Sequence, residues 1–210
     1  VREHVRPHKQ GITNNFCLHS SPGKNTLSLL SIMNYTHLPG TLRLYNGSDE
    51  ELDIYSFTMK NKIKQDFSLG KGFRLSSSLN HNLEYKREFV SYNDTIQWAR
   101  FRKNIVDIGV DLNYSKRKAN FSIKNKLSWI YASYDLDKDV RWQYTPAVDF
   151  SWQLMSFGTL RTNYSHGFSQ SGFYGLNPLR IYTSYNTASS GTGTFENSPS
   201  DNASVSYDYT

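Results

Sequence analysis

This 210-residue sequence is informative first for what it lacks. It holds a single cysteine, Cys17, so no disulfide framework can form within it. Hydrophobic residues make up only 37%, and no apolar run approaches the ~18 residues that a membrane-crossing helix requires. Glycine (13) and proline (6) are ordinary in number and follow no triplet repeat, which excludes collagen. There is no acidic excess and no heptad pattern, so acidic disorder and coiled coil are excluded too. Aromatic residues, by contrast, reach 15%, the opposite of a disordered composition.

Basic residues outnumber acidic ones by 24 to 18, a net charge of +6. The charges are dispersed, and the densest basic run, Lys116-Arg117-Lys118, reads as a turn. No helical recognition pattern or RNA-binding motif accompanies them, so nucleic acid is not an expected partner. The start, Val1 to Gln10, is polar and has no signal-peptide character. If the protein is exported, this is expected to be a mature form or an internal piece.

The strongest signal is a period of two. Residues 73–85 place Phe73, Leu75, Ser77, Leu79, His81, Leu83 and Tyr85 opposite Arg74, Ser76, Ser78, Asn80, Asn82 and Glu84. Residues 106–114 set Val106, Ile108, Val110 and Leu112 against Asp107, Gly109, Asp111 and Asn113. The same rule runs through 121–131 and 140–154, and more weakly through 52–69 and 159–168. Side chains alternate across a strand, so each segment has one oily face and one wet face. About nine strands are expected, with no helix. Tight turns are expected at Gly70-Lys71-Gly72, Lys116-Arg117-Lys118 and Phe157-Gly158. Polar loops are expected at 87–98, 133–139 and 169–202. Residues 1–24 are expected to be irregular, and 25–210 to carry the strands. Short turns at one rim and long loops at the other imply an up-and-down meander.

A soluble sheet packed on a core would alternate in the same way. Length separates the two: these strands run to about 10–17 residues, whereas soluble strands usually have ~5–6. A tilted strand needs roughly 9–11 residues to cross a bilayer. Aromatic residues also collect near strand ends, Tyr85, Trp98, Tyr131, Tyr134 and Trp142 at one end and Phe67, Phe73, Phe121, Trp152 and Phe157 at the other, as interfacial girdles do. The expected fold is all-β: an antiparallel up-and-down transmembrane β-barrel, present as a segment. Pro146 in mid-strand predicts a bulge. His81 and Asn125 fall on the lipid side, which predicts an interfacial position or a register shift.

Residues 159–210 carry a resemblance. A strand through Asn163-Tyr164-Ser165-His166-Gly167-Phe168, a Ser/Gly/Asn-rich loop with Leu176-Asn177-Pro178, and a new strand with Tyr207-Asp208-Tyr209 resemble the barrel of TonB-dependent outer-membrane receptors of the Bacteroidota type. The resemblance implies a cell outer-membrane location and energy-coupled import of a scarce nutrient. It also implies a lipid bilayer, the remainder of the barrel, a plug domain, the TonB motor and a surface lipoprotein as partners. The family's Gly-Asn-Pro and Pro-Glu are met only in part, by Gly193-Thr194-Phe195 and Pro199-Ser200. No plug, TonB box or closing strand is visible, so an internal piece of a larger barrel is expected. The alternatives are a structural or adhesive barrel without transport, and a soluble all-β binding module.

The chemistry-bearing residues point away from an enzyme. The six histidines are scattered, which excludes metal-ligand spacing, and no cofactor is expected. Gly70-Lys71-Gly72 lacks the context of a phosphate loop. Ser165 and His166 are adjacent in a strand and so face opposite ways. The candidates are polar wall residues: Lys60, Lys62, Lys64, Asp107, Asp111, Lys124, Lys126, Asp149 and Arg161. Mutual neutralisation across strands accounts for them as well as a substrate or plug contact does. In the long loop, Tyr174, Tyr182 and Tyr185 are candidates for ligand or partner contact.

Overall fold

A computed structural model describes residues 10–43, 49–92, 95–154, 158–170, 181–184, 187–189, 195 and 197–209. The strands are β1 (Gln10–Ser20), β2 (Thr26–Arg43), β3 (Asp49–Gly70), β4 (Phe73–Tyr92), β5 (Thr95–Lys116), β6 (Ala119–Tyr134), β7 (Asp137–Leu154), β8 (Gly158–Gln170), β9 (Ile181–Ser184), β10 (Thr187–Ser189) and β11 (Asn197–Tyr209). Nine of them form one antiparallel sheet in the order β1-β2-β3-β4-β5-β6-β7-β8-β11, and β9 with β10 makes a small separate hairpin. Every neighbour in the large sheet up to β8 is a neighbour in sequence, so the chain is a meander. It is a nine-strand segment of an antiparallel β-barrel. No described helix is long and apolar enough to cross a membrane, which says nothing about crossing by strands.

The register shows that the strands are tilted. One straight cross-strand row joins Leu29, Ile63, Leu79, Ile108, Leu127 and Tyr144. Leu29 lies 3 residues from Thr26 and 14 from Arg43, whereas Tyr144 lies 10 from Leu154 and 7 from Asp137. Both rims therefore shift by seven residues over the five steps from β2 to β7. With ~3.3 Å per residue and ~4.8 Å between strands, this stagger is a tilt of roughly 45°, close to the 35–45° of closed barrels. On β4 the outward run from Phe73 to Tyr85 then rises about 28 Å, the height of a bilayer's hydrocarbon.

The burial pattern is inverted relative to a soluble sheet. Ile108, Leu127 and Trp142 are 54%, 41% and 65% exposed, while their sequence neighbours Asp107, Ser128 and Gln143 are 9%, 4% and 5% exposed. A sheet curled toward its polar side crowds those side chains and spreads the apolar ones. All four tryptophans, Trp98, Trp129, Trp142 and Trp152, fall on the apolar face by register. Among the described residues no second layer covers that face.

Several expectations need correction. Residues 10–20, expected to be irregular, form β1 paired to β2. The expected loops 87–98 and 133–139 are mostly strand: β4 and β5 are separated by two residues, and β6 turns into β7 through Asp135 and Leu136. Polarity misled there, because these strand ends continue past the apolar band, where both faces can be wet. β11 likewise begins inside the expected loop 169–202. The tight turn at Gly70-Lys71-Gly72 is present, with positive φ at all three residues. A Cβ on Gly72 would lie 2.6 Å from the Ser115 carbonyl oxygen, so only glycine fits. Pro146 pairs with Asn125 without a register break. The β7–β8 ladder starts one residue later, at Ala147↔Ser165, so the missing N–H lies where that ladder has already ended.

The two polar intruders on the apolar face also keep their register. Ser31, Asn61, His81 and Asn104 form a ladder across β2–β5. Ser31 Oγ donates to Asn61 Oδ1 (2.7 Å), Asn61 Nδ2 lies 3.4 Å from His81 Nδ1, and His81 Nε2 lies 2.8 Å from Asn104 Oδ1. With Asn61 donating, His81 carries its proton on Nε2 and donates it to Asn104. Asn125 accepts the Tyr144 hydroxyl at 2.5 Å. Each intruder thus has a partner within the sheet, which is what a polar group facing hydrocarbon requires.

If this face meets lipid, Leu127→Arg destabilises the barrel by about 2–4 kcal/mol in bilayer unfolding titrations. In a water-exposed sheet the same change costs under about 0.5 kcal/mol.

Candidate polar-face site

Register puts all nine polar candidates on the face opposite the tryptophans. One row runs Lys62, Asn80, Asp107, Ser128, Gln143, and the next Lys64, Ser78, Gly109, Lys126, Thr145. Asp111 faces Lys124, and Asp149 faces Ser122 on one side and Asn163 on the other. Arg161 sits between Ser151 and Ser206.

Much of this charge is neutralised locally. Lys124 Nζ donates to Asp149 Oδ2 at 2.8 Å, and Asn163 donates to the other Asp149 oxygen. Lys64 lies 3.0 Å from Asp66, which also accepts Ser76 and, at 3.1 Å, Thr26. Arg161 pairs with Asp208 at 2.7 Å. These are half-open pairs, each worth at most about 1 kcal/mol. Two features differ. Lys60 and Lys62 are exposed and face Ile32 and Leu30 on β2 and Asn82 and Asn80 on β4, with no carboxylate directly opposite. Asp107 is nearly buried, and its Oδ1 has no hydrogen-bond partner among the described residues. Two open hollows, about 540 and 530 Å³, lie toward the tight turns, one around Lys64, Asp66 and Arg74, the other around Asp149, Asn163 and Arg161.

Toward the other rim the polar face carries an apolar patch that the sequence reading missed. Ala99, Phe101, Ile130, Ala132 and Tyr134 are buried there. Phe195, which precedes β11, packs on Ala99, Phe101 and Tyr134, and Gln143 Nε2 donates to Asn197 Oδ1 at 2.6 Å. The chain entering β11 therefore folds inward over this patch. Tyr134 does not belong to the outward girdle with Tyr131. Parity was the available signal: Tyr134 shares its face with Lys124 and Lys126, and Phe101 shares its face with Asp107.

Ser165 and His166 face opposite ways, Ser165 toward Ala147 and His166 onto the apolar face. There His166 Nδ1 lies 2.9 Å from Asp201 Oδ1, which also accepts the Tyr164 hydroxyl at 3.0 Å. Tyr182 lies in β9, while Tyr174 and Tyr185 lie outside the described residues. Among the described residues no cluster of three or more His, Cys, Asp or Glu side chains could hold a metal.

No family model matches the sequence, and no curated protein matches it. Among solved structures, the chain is similar to the ferric yersiniabactin uptake receptor FyuA from Yersinia pestis, at a TM-score of 0.61 and 12% identity. The match covers 97% of this chain and 34% of that receptor, so the chain spans about a third of its length. At that identity the likeness is one of fold.

Burial raises the Tyr134 phenol well above its ordinary range, and the charges of Asp135 and Glu88 add to the shift. A raised native pKa contributes stability that is full below the unfolded value of ~10 and is lost as pH climbs toward the native one. Unfolding titrations of wild type should therefore show an alkaline loss of stability above about pH 10, and Tyr134→Phe should remove that component.

Proposed function

We propose that this chain is a wall segment of an outer-membrane β-barrel receptor, of the Bacteroidota-type TonB-dependent group, that imports a nutrient by energy-coupled transport. The observation that carries the reading is the inverted burial: open Ile108, Leu127 and Trp142 beside buried Asp107, Ser128 and Gln143. Such a sheet is matched to a solvent that is oily outside and wet inside. The fold likeness to an uptake receptor and the ~45° tilt support it. The residue pattern at 159–210 favours the Bacteroidota-type group.

On this reading the polar face lines the lumen. Lys60, Lys62 and Asp107 meet the plug or the passing solute, while Lys64, Lys124, Asp149 and Arg161 are held by their own partners. The open edges of β1 and β11 meet the remaining strands of the barrel, because hydrocarbon leaves no backbone group without a partner. The TonB motor supplies energy, a surface lipoprotein assists capture, and Tyr174, Tyr182 and Tyr185 contact the solute or that lipoprotein.

The full-length protein should fractionate with the outer membrane and migrate faster on gels unboiled than boiled. Its deletion should abolish uptake of one nutrient in a panel, and wild-type uptake should cease when the proton-motive force is collapsed. A detergent-free soluble protein with no heat-dependent mobility contradicts the barrel. A heat-modifiable barrel whose loss leaves every uptake unchanged contradicts the transport role.

A further inference from the structure

Just above the apolar band, on the outer face and at the rim with the long β8–β11 connection, the sheet carries an arrangement that isolated strands avoid. Arg87 on β4 and Arg100 on β5 are direct cross-strand partners. Like charges placed opposite one another are destabilising. Arg102 follows one step below, opposite Tyr85 and Ser133, and Lys138 lies on the far side of Ser133. These cations all project from the face that bears the tryptophans. The upper edge of the band on these strands is marked by Tyr85, Val106, Tyr131 and Val140, so the cations sit at the level of lipid headgroups.

Among the described residues no carboxylate forms an ion pair with Arg87, Arg100 or Arg102. Asp53, on the neighbouring strand, is engaged by His37 at 2.5 Å. Asp135 accepts the backbone N–H of Arg100 at 2.9 Å, which leaves the guanidinium out of that bond. Two of the three guanidiniums lie over aromatic rings instead. Arg87 Cζ is 4.3 Å from the centre of Trp98, and Arg102 Cζ is 5.9 Å from that of Tyr131. Arg87 Nε is buried without a hydrogen-bond partner among the described residues. A guanidinium laid on a ring keeps its N–H edge free, and that fork matches a phosphate.

We infer that Arg87, Arg100 and Arg102 form a binding site on the outer wall for the phosphates of an anionic lipid headgroup in the outward leaflet. A phosphate between Arg87 and Arg100 converts the repulsive pair into a bridged one. Tyr85, Trp98 and Tyr131 then flank the headgroup, and acyl chains lie on Val106, Ile108 and Leu127 below. Lys138 supplies further attraction at the edge. The inference rests on the barrel reading, since only a bilayer brings headgroups to this height.

The test uses the full-length protein in neutral detergent, titrated with bis-phosphorylated lipid A and followed by native mass spectrometry. Unboiled mobility is recorded on the same samples. Wild type should retain lipid A, and Arg87→Gln/Arg100→Gln/Arg102→Gln should bind it on the order of 100-fold more weakly, since a cation near an anionic lipid surface contributes about fivefold. Lys60→Gln/Lys62→Gln, on the opposite face, should bind as wild type does. Dephosphorylated lipid should bind weakly, and inorganic phosphate at matched concentration should not displace lipid A. Unchanged lipid A binding in a triple variant that keeps its heat-modifiable mobility overturns the inference and leaves the barrel standing. Full displacement by inorganic phosphate also overturns it, because the site would then hold a free anion. Should the triple variant misfold, Arg100→Gln alone, at an exposed position, serves as the variant, with about fivefold weaker binding expected and unchanged binding overturning the inference. A protein with no heat-modifiable mobility removes the barrel, and the inference falls with it.

Discussion

On the proposed reading the structure depends on one constraint: a backbone surrounded by hydrocarbon has no water to satisfy its N–H and C=O groups. A meander of long antiparallel strands meets that constraint along most of its internal seams: the ladders from β1 to β7 run nearly the length of the strands, while the β7–β8 ladder covers only Ala147–Leu154. Tilt follows from the same requirement. Strands that must close into a cylinder cannot run straight up it, and the seven-residue climb from β2 to β7 is the wall of such a cylinder read in sequence numbers.

Side chains obey the constraint on their own scale. The apolar face is not purely apolar, yet several of its polar members are tied to one another. Ser31, Asn61, His81 and Asn104 pass hydrogen bonds from strand to strand in one direction, and Asn125 takes the Tyr144 hydroxyl. The polar face follows a looser rule, since water tolerates open pairs such as Lys124–Asp149 and Arg161–Asp208. Among the described residues, the buried hydrophobic cluster on that face lies near the β8–β11 rim, where Phe195 packs on Phe101 and Tyr134.

Most of the wall was legible before any coordinates, because a period of two is a direct imprint of strand geometry. Asp107 beside Ile108, and Leu127 beside Ser128, assign faces without further information. What was not legible has identifiable causes. Polar residues such as Arg87, Glu88 and Lys138 look like loop by composition, but strand ends that project past the apolar band are wet on both sides. β1 hides because it is short and Asn14 breaks its outward row of Ile12, Phe16 and Leu18. Pro146 looks disruptive until one sees that the β7–β8 ladder stops beside it. The inward fold of Phe195 joins residues nearly a hundred positions apart, and no local pattern carries that.

The claim beneath all of this is that the tryptophan-bearing side of the sheet touches acyl chains. Brominated lipids test it directly, since all four tryptophans report from that side. With the full-length protein in bilayers brominated along the acyl chain, the account predicts strong fluorescence quenching. A variant keeping only Trp129 and Trp142, which pair directly across β6 and β7, should also be quenched strongly. Fluorescence indifferent to acyl bromination, but quenched by a water-soluble agent, would contradict it.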